Sequence, residues 1–374
     1  MDLNKVINQI SELIDNSSRQ NWLFGAGISC DANIPLMYPL TDKVSNDLSG
    51  RSKKLFNNIM LELKDNPKPH VEHVLSHLGD LIAISERVKN EAFATSSETF
   101  TLVEMVQCYK DVISSIVKTI RYGYDSNSSS TGSIEDPIII IGNHLKFIEA
   151  LFSNRSNLES RSMINFFTTN YDTLLEDALA IRKHYVIDGF DGAAIGYWNG
   201  EQAFEEQTSS ANKFKVYKLH GSVDWYNDSD YGLIRCRYGV NYLKDVGNVL
   251  IYPQATKYIE TQKDPFATLF KGFRSELNYN SPNILVVCGY SFGDNHINNE
   301  IESAMKSKNN RTTVIIFIKT ENDFIDKLHL SFPDRVYIVC ENHIQYKQNK
   351  YTYPAQSECW KFTGLTNFLI TRLI

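Results

Sequence analysis

The stretch WLFGAGISCDANIP, residues Trp22 to Pro35, decides how the rest of the chain is read. A short apolar run stops at Gly25, Ala26 and Gly27, and the chain passes into a polar segment that ends in a proline. An apolar run of strand length bounded by glycines predicts a buried β-strand running into a tight turn. Bare backbone at such a turn suits close approach of a phosphate to N–H groups, or a turn conformation that side chains would obstruct. The turn is not a Gly-x-Gly-x-x-Gly fingerprint. Cys30 stands at the third glycine position, and Asp47, the acidic residue at about the right distance for a ribose, lies in a helical pattern.

Working outward, Leu3, Val6, Ile7, Ile10, Leu13 and Ile14 fall on one helical face before this strand. After it, residues 41–160 read as a helical insertion, with spaced apolar residues in SKKLFNNIMLELK, HVEHVLSHLGDLIAISERV and ETFTLVEMVQCYKDVISSIVKTI. Within it, DSNSSSTGS (Asp125 to Ser133) reads as a mobile polar loop, and PIIIIGNHLKFIEALF as a helix whose isoleucines could begin as a strand. From Met163 the pattern changes. INFFTTNYD, FKVYKLHGSVDW, NVLIYPQ, NILVVCGYSFGD, TTVIIFIK and RVYIVC are strand-like, and helical stretches such as TLLEDALAI and HINNEIESAMK lie between them. The alternation predicts an α/β fold, a Rossmann-like parallel sheet with helices on both faces, with residues 301–374 completing the sheet.

Composition narrows the function. The chain has 374 residues, 42% hydrophobic and 22% charged, and a formal net charge of -6. That balance argues against long disorder and against gripping nucleic acid over a whole basic surface. No apolar run approaches the roughly 20 residues of a membrane span. MDLNKVINQISELID shows neither a basic nor an apolar leader region, and the six cysteines are scattered without a Cys-x-x-Cys pair. Reduced thiols and a cytoplasmic location are the expectation.

Ligands of open parallel sheets bind outside the carboxyl ends of the strands. Four predicted strand ends carry small or polar residues there: Gly25 to Ser29; Thr169, Asn170 and Asp172; His220, Gly221 and Ser222; and Gly289, Ser291, Gly293, Asp294 and His296. These islands resemble the sirtuin superfamily. Gly25, Ala26, Gly27, Ile28 and Ser29 with Ile34-Pro35 resemble its Gly-Ala-Gly-Ile-Ser loop. TTNYD resembles its Gln-Asn-Ile-Asp motif, LHGS the segment bearing its catalytic histidine, and GYSFGD the late loop that holds the adenosine ribose. The resemblance spans residues 22 to about 300 and implies one sirtuin-like domain over residues 1–374 that uses NAD.

Two departures redirect that expectation. The four cysteines of the sirtuin zinc module are missing, Cys236 being the one cysteine in the corresponding region, so no zinc is expected. LMYPL replaces the Asp-Phe-Arg that follows Ile-Pro in deacylases. The pattern resembles instead the divergent sirtuin-like NAD hydrolases of bacterial antiphage defence, and most of all the subunit that assembles with a HerA-type ring ATPase. The resemblance implies a homo-oligomer with that partner and no direct nucleic-acid binding by this chain alone. It implies that backbone amides of residues 25–29 hold the pyrophosphate, and that Asn170 orients the nicotinamide ribose or the attacking water. Asp172 would stabilise developing charge or position a hydroxyl, His220 would act as general base, and Thr169, Gly289, Ser291 and Asp294 would line the NAD pocket. Rival readings are a deacylase lacking the zinc module and a non-catalytic NAD or ADP-ribose scaffold. Each residue also has a plainer role: His220 satisfying a buried backbone group, Asn170, Asp172 and Asp294 as helix caps, and His296 as a first-turn surface residue. His70, His73 and His77 share a helical face with Glu72 nearby, but lack the His-Glu-x-x-His signature and are read as a packed or solvated face rather than a metal site.

Overall fold

The computed structural model describes residues 2–63, 68–88, 92–94, 98–153, 163–205, 213–237, 249–251 and 264–374. Helix α1 (Leu3–Asn16) starts at Asp2, whose carboxylate accepts from the Lys5 amide at 2.9 Å. Strand β1 (Arg19–Phe24) follows. The chain then enters α2 (Met37–Asp47), α3 (Gly50–Glu62), α4 (Val71–Val88), α5 (Leu102–Tyr122) and α6 (Gly142–Ser153). It returns through β2 (Met163–Thr168), α7 (Leu174–Ile181), β3 (Tyr185–Ile187), α8 (Gly200–Glu205) and β4 (Lys213–Lys218). The rest runs α9 (Phe266–Leu277), β5 (Asn283–Cys288), α10 (Asn295–Lys306), β6 (Thr312–Phe317), α11 (Asp323–Ser331), β7 (Val336–Val339), β8 (His343–Tyr346), β9 (Asn349–Thr352) and α12 (Phe362–Thr371).

These nine strands form one sheet in the order β9-β8-β7-β6-β5-β1-β2-β4-β3. Seven run parallel, and β8 and β9 add an antiparallel edge. The fold is α/β, as the interleaved runs predict. Side chains of β1 alternate between two cores. Trp22 and Phe24 pack with α1, α6, α7 and α12 through Ile10, Phe147, Leu175 and Leu365. Leu23 packs on the opposite face with α9, α10 and α11 through Phe273, Ile297 and Ile325. Burial on both faces explains why the strands read as unbroken apolar runs rather than as alternating ones.

Helices α2 to α5 build a third core, around Phe56, Leu75, Leu78, Val112 and Ile116, which reaches the main body through Tyr171, Leu174, Val223 and Tyr226. Helix α5 is fixed at its start by a reciprocal capping box between Thr101 and Glu104. Helix α6 differs from its neighbours in the predicted insertion. Its Phe147, Ile148 and Leu151 join the core of the main sheet. The isoleucines before it form neither helix nor strand; Ile138 and Ile140 tie that segment to Tyr122 and Ala32 by backbone hydrogen bonds. The polar loop expected over 125–133 contains a short hairpin, in which Tyr124 pairs with Thr131 and Asp125 with Ser130.

FKVYKLHGSVDW, read as strand-like with a strand end at His220 to Ser222, holds two strands. Residues Lys213–Lys218 belong to the main sheet, and Gly221–Asp228 to a smaller antiparallel sheet with Phe190–Gly192, Ile195–Trp198, Gly232–Cys236 and Val249–Ile251. Residues on both sides of the break at Leu219 and His220 are buried, so apolar content alone carries no mark of it. Among the described residues no helix is long and apolar enough to cross a membrane.

Candidate functional site

Strands β5, β1, β2 and β4 are adjacent and parallel. The segments after them therefore leave the sheet on one edge. The chain passes from β1 to β2 on one side and later returns to β5 on the other, so strand order reverses at β1. Such a reversal opens a crevice between diverging connections.

The bare backbone after β1 is demanded by the loop after β5. Gly27 donates its amide to the Gly289 carbonyl at 2.9 Å, and Gly25 donates to Cys288 at 3.3 Å. A Cβ on Gly25 would stand 2.6 Å from both the Gly289 oxygen and the Tyr290 Cα; one on Gly27 would stand 2.7 Å from the Gly289 Cα. Gly289 itself has φ +68°, in the left-handed region. Ile28 and Ser29 also donate internally, to the Gly25 and Ala26 carbonyls, both at 3.1 Å. This corrects the expectation that the amides of residues 25–29 all receive a pyrophosphate. Four are engaged within the protein, and the exposed Ala26 amide alone has no partner among the described residues.

Ser29, Asn170 and Asp172 meet although 141 and 143 residues separate the serine from its partners. The buried Ser29 hydroxyl donates to Asp172 Oδ2 at 2.9 Å, while Asp172 Oδ1 accepts the Leu174 amide at 3.1 Å. Because an ionised carboxylate only accepts, the hydroxyl proton points to Asp172, and its lone pair accepts Asn170 Nδ2 at 3.0 Å. The chain of donors fixes the orientation of the amide. Its Oδ1 is buried and has no hydrogen-bond partner among the described residues. Lys218, also buried, donates to the Asp172 carbonyl and pairs with Glu176 at 3.2 Å, which pins the loop from beneath. Thr169 donates its amide to Phe24, at 3.0 Å, joining the ends of β1 and β2. Asp172 thus acts through Ser29 and the start of α7, with both carboxylate oxygens engaged.

His220 lies in the two-residue turn between the two sheets and is 3% exposed. Its Nε2 stands 3.3 Å from Nε2 of His296, in the first turn of α10. His296 is half-buried, so the expectation of a surface residue is corrected. Asp294 occupies the N-cap position of α10 but makes no side-chain capping bond; a carboxylate oxygen of Asp294 and nitrogens of both histidines lie within 4.8 Å of one another. The capping role considered for Asp294 is thus not the one its side chain plays. Ser291 is exposed on the same loop, and its carbonyl accepts from Asn322 at 3.0 Å.

The surroundings hold residues that sequence reasoning missed. Tyr171 sends its hydroxyl to Glu72 of α4 at 2.6 Å, linking the helical insertion to the Asn170 loop. Burial, reinforced by Glu72, pushes the Tyr171 phenol well above its usual range. His144 of α6 is fully buried against Phe362, and neither ring nitrogen has a hydrogen-bond partner among the described residues. Burial lowers its pKa, and the Asp172 charge opposes that shift. No pattern in GNHLKF marks this residue; a histidine amid apolar helix positions was the available signal. His70 precedes α4, its amide donating to His73 Nδ1 at 3.2 Å with the two ring centroids 3.8 Å apart, while His77 faces Glu62 at 3.6 Å.

No curated protein matches the chain. Among solved structures, one similar chain is a Sir2 homologue with a histidine-to-asparagine change in complex with ADP-ribose, at 13% identity and TM-score 0.35, with 86% of each chain covered. Another is a Sir2 histidine-to-alanine variant with a deacetylated p53 peptide and 3′-O-acetyl ADP-ribose, at 12% identity and TM-score 0.33, covering 87% of this chain and 90% of that one. Residues 164–334, from β2 past α11, are similar to the family described as SIR2-like domain.

Proposed function

We propose that the chain hydrolyses NAD to nicotinamide and ADP-ribose, as a conditional antiphage effector that works as a homo-oligomer with a HerA-type ring ATPase. The observation that carries the reading is the Asn170 amide, oriented by Ser29 and Asp172 and left with a buried, unpartnered acceptor at the strand-end crevice. An orphaned buried acceptor costs about 1–3 kcal/mol, so a donor from a ligand there is strongly favoured. A ribose hydroxyl or an attacking water supplies such a donor.

Cleavage of the nicotinamide–ribose bond builds positive charge on the ribose as neutral nicotinamide leaves, and water adds to the same carbon. In this reading Asn170 Oδ1 orients the ribose or the water, and His220 takes the proton from the attacking oxygen. The Ala26 amide offers a donor to the pyrophosphate, and the Gly289 and Ser291 loop lies beside the adenosine ribose. Unchecked NAD loss harms the cell that makes the enzyme, which is the chemical reason for control by assembly. Exposed Leu61, Ile84, Val88 and Val103 on α3, α4 and α5 supply apolar side chains for a partner.

The test is purified chain with NAD, alone and with the product of the neighbouring gene, followed for nicotinamide and ADP-ribose. Asn170→Ala and His220→Ala are each expected to lower the rate by at least about 10²-fold with the fold intact by circular dichroism. Wild-type turnover in either variant removes that residue's role. Nicotinamide release that strictly requires an acylated lysine peptide points to deacylation instead.

A further inference from the structure

We propose that His220, Asp294 and His296 bind one divalent transition-metal ion of the zinc class, and that the bound ion holds His220 out of catalysis. The two Nε2 atoms are 3.3 Å apart. That is long for a hydrogen bond from a ring nitrogen. It is also about the separation that two nitrogens take on one tetrahedral zinc ion bound at ~2.0–2.1 Å from each. The rings are tilted by 32° with centroids 5.4 Å apart, so nitrogens rather than ring faces meet. A carboxylate oxygen of Asp294 lies with them, all three ligand atoms within 4.8 Å of one another.

The donor set selects the ion. Two imidazoles and one carboxylate suit zinc, cobalt or nickel, whereas magnesium and calcium take oxygen ligands. Three protein ligands leave a fourth position for a small molecule, as in open zinc sites. The ligands come from the turn after β4 and the loop after β5, so a bound ion ties together two strand ends that lie on either side of β1 and β2. The site is distinct from the four-cysteine module whose absence the sequence showed. It stands on this geometry; its inhibitory consequence rests on the reading of His220 as general base, because an imidazole nitrogen bound to metal has no lone pair for a proton.

The experiment takes tag-free full-length chain, strips it with EDTA and titrates it with cobalt chloride, reading visible absorbance. One equivalent per chain is expected, displaced by zinc chloride. His296→Ala, the size-conserving His296→Gln and Asp294→Asn are each expected to weaken cobalt binding by at least about tenfold, with unchanged circular dichroism. Wild-type protein that binds no cobalt, or equal affinity in all three variants, overturns the site. In parallel, zinc is expected to suppress NAD loss by wild-type protein and EDTA to restore it; zinc-loaded protein cleaving NAD at full rate overturns the inhibitory role. Cobalt binding with the expected variant pattern in a chain that never cleaves NAD supports the metal site and removes the hydrolase reading.

Discussion

Two clusters share one edge of the sheet and are built on opposite plans. Around Asn170 the hydrogen bonds run in one direction, from the amide to Ser29, from Ser29 to Asp172, and from Leu174 to the same carboxylate. Lys218 and Glu176 brace that loop from the interior. Around His220 the groups converge from two different strand ends: an imidazole pair at 3.3 Å with the Asp294 carboxylate beside it. The first arrangement holds one group in one orientation, which suits recognition of a sugar or a water. The second brings two imidazole nitrogens and a carboxylate oxygen within 4.8 Å of one another, which suits traffic in protons or cations. A buried network of directed hydrogen bonds specifies the geometry of the group it holds, and here it aims one acceptor unpartnered among the described residues, Asn170 Oδ1.

The contrast breaks first at Asp172. Asp172→Asn replaces a pure acceptor by a group that can also donate, so the Ser29 proton loses its fixed direction and the Asn170 amide is free to turn. The NAD cleavage proposed for this site is expected to fall about 10²-fold through misplacement of the amide. A near-wild-type rate in steady-state assays would show that the network does not orient Asn170.

Gly25→Ala sharpens the same comparison from the other side of the loop. Its Cβ would press on backbone of Gly289 and Tyr290, with no flexible side chain to yield. A loss of about 1–3 kcal/mol is expected by denaturant melts, as for other overpacked sites. Unchanged stability would return the glycine to a purely ligand-facing role.

The smallest effect concerns the brace. Burial pushes the Glu176 carboxyl up to about 7 against the pull of Lys218. The folded chain then holds a proton that the unfolded chain has released, between the ordinary value of 4.5 and about 7. The stability from this group is fully present below 4.5 and is lost as pH rises to about 7. Glu176→Gln is expected to flatten the decline of melting temperature across that window. Parallel slopes in both proteins would mean that Glu176 stays ionised beside Lys218.

Much of this was readable in the chain. The two-sided apolar runs of β1, β2, β5 and β6 announce a covered parallel sheet, because such strands need no polar face. Polar and small residues at the ends of β1, β2, β4 and β5 are legible as candidates for ligand contact, because a core strand has no use for them. His296 was noted at its strand end but read as a surface residue, since two residues past an apparent helix cap a histidine carries no sign of a partner 76 residues away. His144 was missed because an isolated buried imidazole leaves no periodic trace.

The sequence by itself determined which segments are buried, in what order they occur, and that the polar residues cluster at their ends. Tertiary structure alone decided that β5, β1, β2 and β4 are neighbours, that the glycines are required by the Gly289 loop, and that both oxygens of Asp172 are already engaged. Periodicity records how each residue meets its local layer, whereas partners more than a hundred residues apart are chosen only when the sheet brings their loops together.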